Sequence, residues 1–219
     1  MIPHQKANQK LASVNLGVER VVGSSVSGIY KRSTDKPTRI EKFGLVGDKV
    51  IDKRHHGGPD QAVYVYGSDD YRWWSSEISK SLAPGTFGEN LTIASLSSKD
   101  ICIGDRLDIG DSVVLQVTAP RIPCSTLANR MGDKQFPVKF RRAERPGFYC
   151  RVLQSGIVAA GVEVRIINYE AGPRISVVEM FRLYYEPAPS AETLCRILKL
   201  PLAIRERKRI ESTLQRIGH

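Results

Sequence analysis

One stretch pairs a reactive side chain with a neighbour that can activate it: Gln116-Val-Thr-Ala-Pro-Arg-Ile-Pro-Cys124-Ser-Thr-Leu127. Val113, Leu115 and Val117 fall on one face of an alternating pattern, which predicts a strand. Pro120 and Pro123 then frame a loop, because proline fixes φ and gives up its N–H, so the sheet cannot simply continue. The loop ends on Cys124, with Arg121 three residues before it. A thiol beside a guanidinium is biased toward thiolate, the form that attacks electrophiles and binds soft metals. The plainer alternative is a buried cysteine acting as a small apolar residue.

A second stretch is Asp52-Lys53-Arg54-His55-His56-Gly57-Gly58-Pro59-Asp60. Glycines let backbone N–H groups approach an anion closely, and four basic or imidazole side chains precede them. This is a candidate anion site. Adjacent histidines on an extended chain point to opposite sides, so a shared metal ion is the weaker reading. A basic surface turn is the simpler alternative.

The elements that must position these stretches are mostly short strands. Met1 to about Leu11 reads as a loose terminus, and Lys31–Arg39 as a polar loop. Ala62–Tyr66, Leu91–Ile93, Arg106–Ile109 and Phe148–Leu153 read as strands, and Ile157–Ile167 as a last strand pair broken at Gly161. Ser68-Asp-Asp-Tyr71 opens a helix carrying Trp73 and Trp74, which read as packing residues. Closely spaced turn signals such as Gly104-Asp105 and Gly110-Asp111 favour a β-meander or barrel over alternating βαβ units. The basic run Arg130–Arg145 is open to either helix or loop. From about Pro173 the pattern changes. Ser176-Val-Val-Glu179 is a capping box, Ser190 caps a second helix with Leu194, Ile197 and Leu198 on one side, and a third carries Leu202, Ile210, Leu214 and Ile217.

Composition narrows the function. The 219 residues carry a net charge of +10, which favours anionic partners. The segment from Ser176 holds eight basic and five acidic residues, so +7 belongs to the β-rich body. Charge spread this way, without interleaved aromatics, argues against a nucleic-acid platform. No apolar run approaches a membrane span and the first residues lack a signal-peptide core, so a cytoplasmic protein is expected. The four cysteines, Cys102, Cys124, Cys150 and Cys195, form no CxxC pair, which argues against structural zinc. Cys102 (in a strand between Ile101 and Ile103), Cys150 and Cys195 read as structural. No glycine cluster matches a nucleotide or dinucleotide fingerprint.

The segments Gly47-Asp48, His56-Gly57-Gly58-Pro59, Pro84 to Leu91 (PGTFGENL), Ile103-Gly104-Asp105, Pro120-Arg121 with Pro123-Cys124, and Arg151-Val152-Leu153 occur in the order of a MOSC domain. That domain takes its name from the C-terminal part of molybdenum cofactor sulfurase. The tail from Ser176 to Pro187 resembles the three-helix extension of the YiiM-like branch. Phe148 and Val162 stand where relatives often have Trp and Asp. The resemblance implies a mainly β protein with α: a MOSC-type β-barrel over residues 1–173 and a three-helix unit over 174–219. It implies Cys124 as the catalytic residue and as ligand of the metal in the molybdenum cofactor (Mo-molybdopterin). Lys53, Arg54, His55, His56, Gly57, Gly58, Asn90, Arg121 and Arg151 are the groups available to the rest of that cofactor. Pyridoxal phosphate binding is a further property attached to the family. The implied activity is reduction of N-hydroxylated small molecules such as hydroxylaminopurine-type bases. With no flavin or nicotinamide motif in the chain, electrons would come from a separate flavin-containing reductase. The rival is a sulfur or cofactor carrier that uses Cys124 without reduction. Monomer and homodimer both stay open.

Overall fold

The computed structural model describes residues 8–22, 25–49 and 57–218. In chain order its strands begin with β1 (Gln9–Gly17), β2 (Arg20–Val22), β3 (Ser25–Ser27), β4 (Lys31–Thr34), β5 (Thr38–Glu41), β6 (Gly44–Leu45) and β7 (Val63–Gly67). Helix α1 (Ser68–Glu77) follows, then β8 (Leu91–Ile93), β9 (Arg106–Ile109) and β10 (Val113–Pro120). Helices α2 (Ser125–Met131) and α3 (Phe136–Ala143) precede β11 (Phe148–Gln154), β12 (Gly156–Val158) and β13 (Glu163–Ile167). The chain ends in α4 (Val177–Tyr184), α5 (Ala191–Leu198) and α6 (Ile204–Arg216).

Seven strands close a barrel in the order β13-β9-β10-β11-β7-β8-β1. The closure is made by the start of β1, where Gln9 pairs Val164 and Lys10 pairs Glu163. The other end of the same strand leaves that partner and takes β4, with Val14 opposite Thr34 and Gly17 opposite Lys31. The barrel pairings are antiparallel except β7 with β8, which are parallel because α1 carries the chain back between them.

Strand β7 is buried on both faces and separates two cores. Val63 and Val65 point into an aliphatic barrel interior with Leu91, Ile109, Leu115, Val117 and Cys150. Tyr64 and Tyr66 point outward into an aromatic cluster with Trp74, Phe87, Phe136, Phe140 and Tyr149. Strand β11 repeats the division, with Phe148 and Cys150 inside and Tyr149 outside. The period-2 geometry of a strand produces this split. Phe136 and Phe140, one turn apart on α3, explain how the basic run becomes helix: it buries an aromatic stripe beneath its arginines.

The capping box at Ser176 and Glu179 is present in full, and Ser190 caps α5 as expected. Apolar residues of the tail, among them Met180, Leu194, Ile197, Ile210 and Leu214, belong to the same cluster as the barrel interior. No helix among the described residues is long and apolar enough to cross a membrane.

Several local expectations need correction. Lys31–Arg39 is not a loop: it supplies β4 and part of β5, polar strands at sheet positions with a solvent face. The first strand starts at Gln9, inside the expected loose terminus, because backbone pairing rather than apolar content holds it. Strands β12 and β13 are not partners: β12 pairs β5, and β13 pairs β9 and β1. Cys102 sits in a turn and makes an isolated bridge to Ser176. Cys195 is exposed, since one helical step from Leu194 rotates it off the buried face.

The tail is tied to the body at Asp60, just past the glycines of the second stretch. Its carboxylate faces Arg151 Nε at 3.1 Å and accepts the backbone N–H of Ile204 at 2.9 Å, capping α6 from outside. Arg151 also donates to the Leu202 carbonyl at 2.7 Å. Asp60→Ala is expected to cost about 1–2 kcal/mol, the order of a lost helix cap. Hydrogen exchange should quicken first in the opening turn of α6, and uniform exchange across the chain would contradict the tie.

Candidate functional site around Cys124

Strand β10 delivers the site. Its last paired residue, Pro120, opposes Phe148, and the next residues leave the sheet. Cys124 then takes an extended backbone (φ −134°, ψ 174°) as the residue capping α2, and its carbonyl accepts the N–H groups of Leu127 and Ala128. The thiol is half-buried. Leu127, buried in the aromatic cluster, anchors the helix that follows, and Ala128 is buried next to it.

Arg121 lies beneath it, only 4% exposed. Its Nη1 donates to the Phe87 carbonyl, and its guanidinium stacks over the Tyr64 ring at 5.0 Å. Its Nε is buried and has no hydrogen-bond partner among the described residues. Burial works against the Arg121 charge, but Tyr64, Tyr149 and Cys124 together hold its pKa above the ordinary guanidinium range. Burial likewise pushes the Tyr64 and Tyr149 phenols up, so both keep their protons at neutral pH.

The turn Pro84-Gly-Thr-Phe-Gly-Glu-Asn90 supplies the floor. Gly88 takes φ 78°, and a Cβ there would meet Ile29 Cγ1 at 2.7 Å and Arg121 Nη1 at 3.4 Å. Only glycine lets the Phe87 carbonyl and the guanidinium approach in this way. Glu89 Oε1 accepts three donors: Tyr71 Oη at 2.6 Å, Gly85 N at 2.6 Å and Thr92 Oγ1 at 2.8 Å. Its Oε2 is buried without a partner among the described residues, and burial raises its pKa.

Asn90 is a structural link between strands and site. Its Oδ1 accepts the Tyr64 N–H at 3.2 Å, and its Nδ2 donates to Asp48 Oδ2 at 2.8 Å. Asp48 also accepts Lys31 Nζ at 2.5 Å and the Gly17 N–H at 2.6 Å. Lys31 is almost wholly buried. Burial drags its pKa down, and the Asp48 charge and hydrogen bond oppose that.

Of the expected site residues, Cys124 and Arg121 are brought together, and Asn90 joins them through Tyr64. Arg151 is held by Asp60 and Leu202. Gly57 and Gly58 take φ of 77° and 90°, and a Cβ added to Gly58 would meet nothing within 4 Å. Lys53, Arg54, His55 and His56 lie outside the described residues. Lys31, Tyr64, Glu89 and Tyr149 were not singled out from sequence. Only Glu89 carried a signal, its place in the PGTFGENL run. Among the described residues no group of three or more His, Cys, Asp or Glu side chains is gathered to hold a metal.

The model of the MOSC domain matches residues 52–165, from the glycine stretch to the last barrel strand. The chain belongs to the MOSC domain family. This MOSC protein is 37% identical over 191 residues to a Bacillus subtilis protein named Uncharacterized protein YflK, a match covering 85% of each. It is 31% identical over 183 residues to a Gibberella moniliformis protein named Reductase, covering 82% of this chain but 32% of that one. The crystal structure of YiiM from Geobacillus stearothermophilus superposes with a TM-score of 0.79 at 26% identity, over 94% of this chain and 99% of that one. That likeness places the MOSC protein on the YiiM-like branch.

The Glu89 carboxyl gives a pH prediction. With its folded pKa raised, the unfolded chain loses this proton first as pH rises. Stability therefore declines from the ordinary glutamate range upward through the raised folded value. Glu89→Gln keeps an acceptor for the same three donors and never ionises. Its melting temperature should gain on wild type as pH rises from the ordinary glutamate range upward. Parallel melting curves across that range would refute the assignment.

Proposed function

We propose that this protein holds a molybdenum cofactor through Cys124 and reduces N-hydroxylated small molecules, hydroxylaminopurine-type bases among them. The observation that carries the reading is the buried Arg121 beside Cys124, with its Nε lacking a partner among the described residues. A buried donor left without an acceptor costs about 1–3 kcal/mol, so such a group fits a site that a resident anion completes. Family membership supports association with the molybdenum cofactor. A relative named a reductase supports oxidoreductase chemistry.

The residues fit the roles asked of them. Cys124 would supply a soft thiolate ligand, held in direction by Pro120, Pro123 and the start of α2. Arg121 and the Gly57–Gly58 turn, with Lys53, Arg54, His55 and His56 preceding it in sequence, would hold the anionic part. When bound, the cofactor supplies the two-electron redox centre. Tyr64 and Tyr149 wall the site with protonated phenols, which exclude bulk water from the guanidinium without adding negative charge. Reduction of an N–OH group to N–H consumes two electrons and two protons and releases water. The electrons come from a separate flavin-containing reductase.

The test is molybdenum content by elemental analysis, for wild type and Cys124→Ala purified anaerobically from a cofactor-producing host. Metal in the wild type and at least tenfold less in the variant is expected, with loss of reduction of N-hydroxylated substrates. Equal metal in both, or full activity without the thiol, overturns the proposal. One added sulfur on Cys124 by intact mass spectrometry, with no reductase activity, would move the function to sulfur carriage.

A further inference from the structure

Beside the Cys124 site lies a cleft of about 480 Å³ lined by Val18, Glu19, Arg20, Tyr30, Lys31, Arg32 and Arg130. Four of the seven are cationic and one is acidic. Lys31 is committed to Asp48, and Glu19 faces Lys49 at 3.9 Å. The three arginines are not neutralised by any carboxylate among the described residues. Arg20 and Arg130 instead both stack on the ring of Tyr30, with guanidinium carbons 4.6 Å and 4.7 Å from its centroid. One half-buried phenol thus gathers two positive charges that would otherwise repel each other. The Arg130 Nε is buried with no hydrogen-bond partner among the described residues. Arg20 and Arg32 are exposed, so the cleft opens to solvent.

Two connections join this cleft to the site. Lys31 lines the cleft, and its ammonium also feels the Arg121 charge. Arg130 stands six residues after Cys124, at the other end of α2, about 9 Å along the helix axis. Guanidinium forks match phosphate oxygens two at a time. The volume suits one small molecule rather than a polynucleotide track.

From these contacts we infer that the cleft is a phosphomonoester subsite, which makes the substrates of this protein nucleotides in preference to free bases. The inference rests on the proposed reductase reading for what happens at Cys124, but the subsite itself does not depend on that chemistry. A solvent-open cleft whose arginines meet no carboxylate among the described residues suits a ligand that exchanges, whereas the buried Arg121 suits one that stays.

The experiment is isothermal titration of the purified full chain with adenosine 5′-monophosphate and, separately, adenosine, at low and raised salt. Wild type, Arg20→Gln and Arg130→Gln are compared, with molybdenum content measured on each preparation. The nucleotide is expected to bind at least about tenfold more tightly than the nucleoside, and more weakly as salt rises. Each substitution should weaken the nucleotide about tenfold and leave adenosine unchanged. Equal binding of the two probes, or nucleotide binding indifferent to both substitutions, overturns the inference. So does a fall in molybdenum content with an unchanged preference for nucleotide, which would assign the cleft to the cofactor's own phosphate. Binding as expected in a chain without metal or reductase activity would leave the subsite standing and remove only the proposed reaction.

Discussion

The burial of one guanidinium organises this molecule. Taking an isolated cation out of water costs on the order of several kcal/mol unless its surroundings replace the lost solvent. Around Arg121 the replacement is assembled from three distant parts of the chain: the Phe87 carbonyl, the Tyr64 ring and the Cys124 thiol. Each part needs its own local geometry. The carbonyl is within reach because position 88 has no side chain. The ring is within reach because β7 turns alternate residues outward. The thiol is there because two prolines end β10 and a helix starts at once. The two sequence runs that single themselves out, around Gly88 and around Cys124, are thus the two halves of one electrostatic arrangement.

That arrangement also explains why the barrel has a second core outside it. A sheet with one solvent-facing side would leave Tyr64, Tyr66 and Tyr149 wet, and the Arg121 charge would be screened. Helices α1 and α3 cover that face, with Trp74 stacked over Phe140 and hydrogen-bonded to Tyr66 Oη at 2.9 Å. Arg145 then bridges them, pairing with fully buried Asp70 at 2.6 Å. Asp70 in turn accepts the Ser98 N–H at 2.8 Å, so helix, loop and cluster are fixed together. The aromatic layer keeps the dielectric low where Arg121 sits, which strengthens its interactions with any anion that arrives.

Much of this was legible in sequence because it is local. Strand β10 follows from three alternating aliphatics, and the helical tail from two caps and a period of 3.6. What was not legible depends on partners far apart in the chain. Lys31 looked like part of a polar loop, since nothing near it announces Asp48, seventeen residues on, as the carboxylate that allows its burial. Strand β4 looked like a loop for a related reason: its side chains are polar, and only its backbone belongs to the sheet. Arg151 was visible as part of a family segment, but its pairing with Asp60, in the loop that also caps α6, was not. Glu89 was visible as a motif letter, but its buried environment was not.

The distribution of positive charge has a logic that the total of +10 conceals. Most of the excess sits on the β-rich body, but there it divides into charges already answered within the fold and charges left open. Lys31, Arg145 and Arg151 are each spent on an aspartate, and their removal would be felt as lost stability. Arg121 is answered only in part, by neutral dipoles and rings that stabilise a cation without cancelling it. Among the described residues, Arg20 and Arg130 meet the ring of Tyr30 and no paired carboxylate. A fold under selection for stability alone gains little by holding guanidiniums together with no carboxylate paired to them among the described residues, since their mutual repulsion opposes folding. Where such groups are nevertheless held in place by aromatic rings beside a half-buried thiol, the proposed anionic ligand is the charge that would answer them.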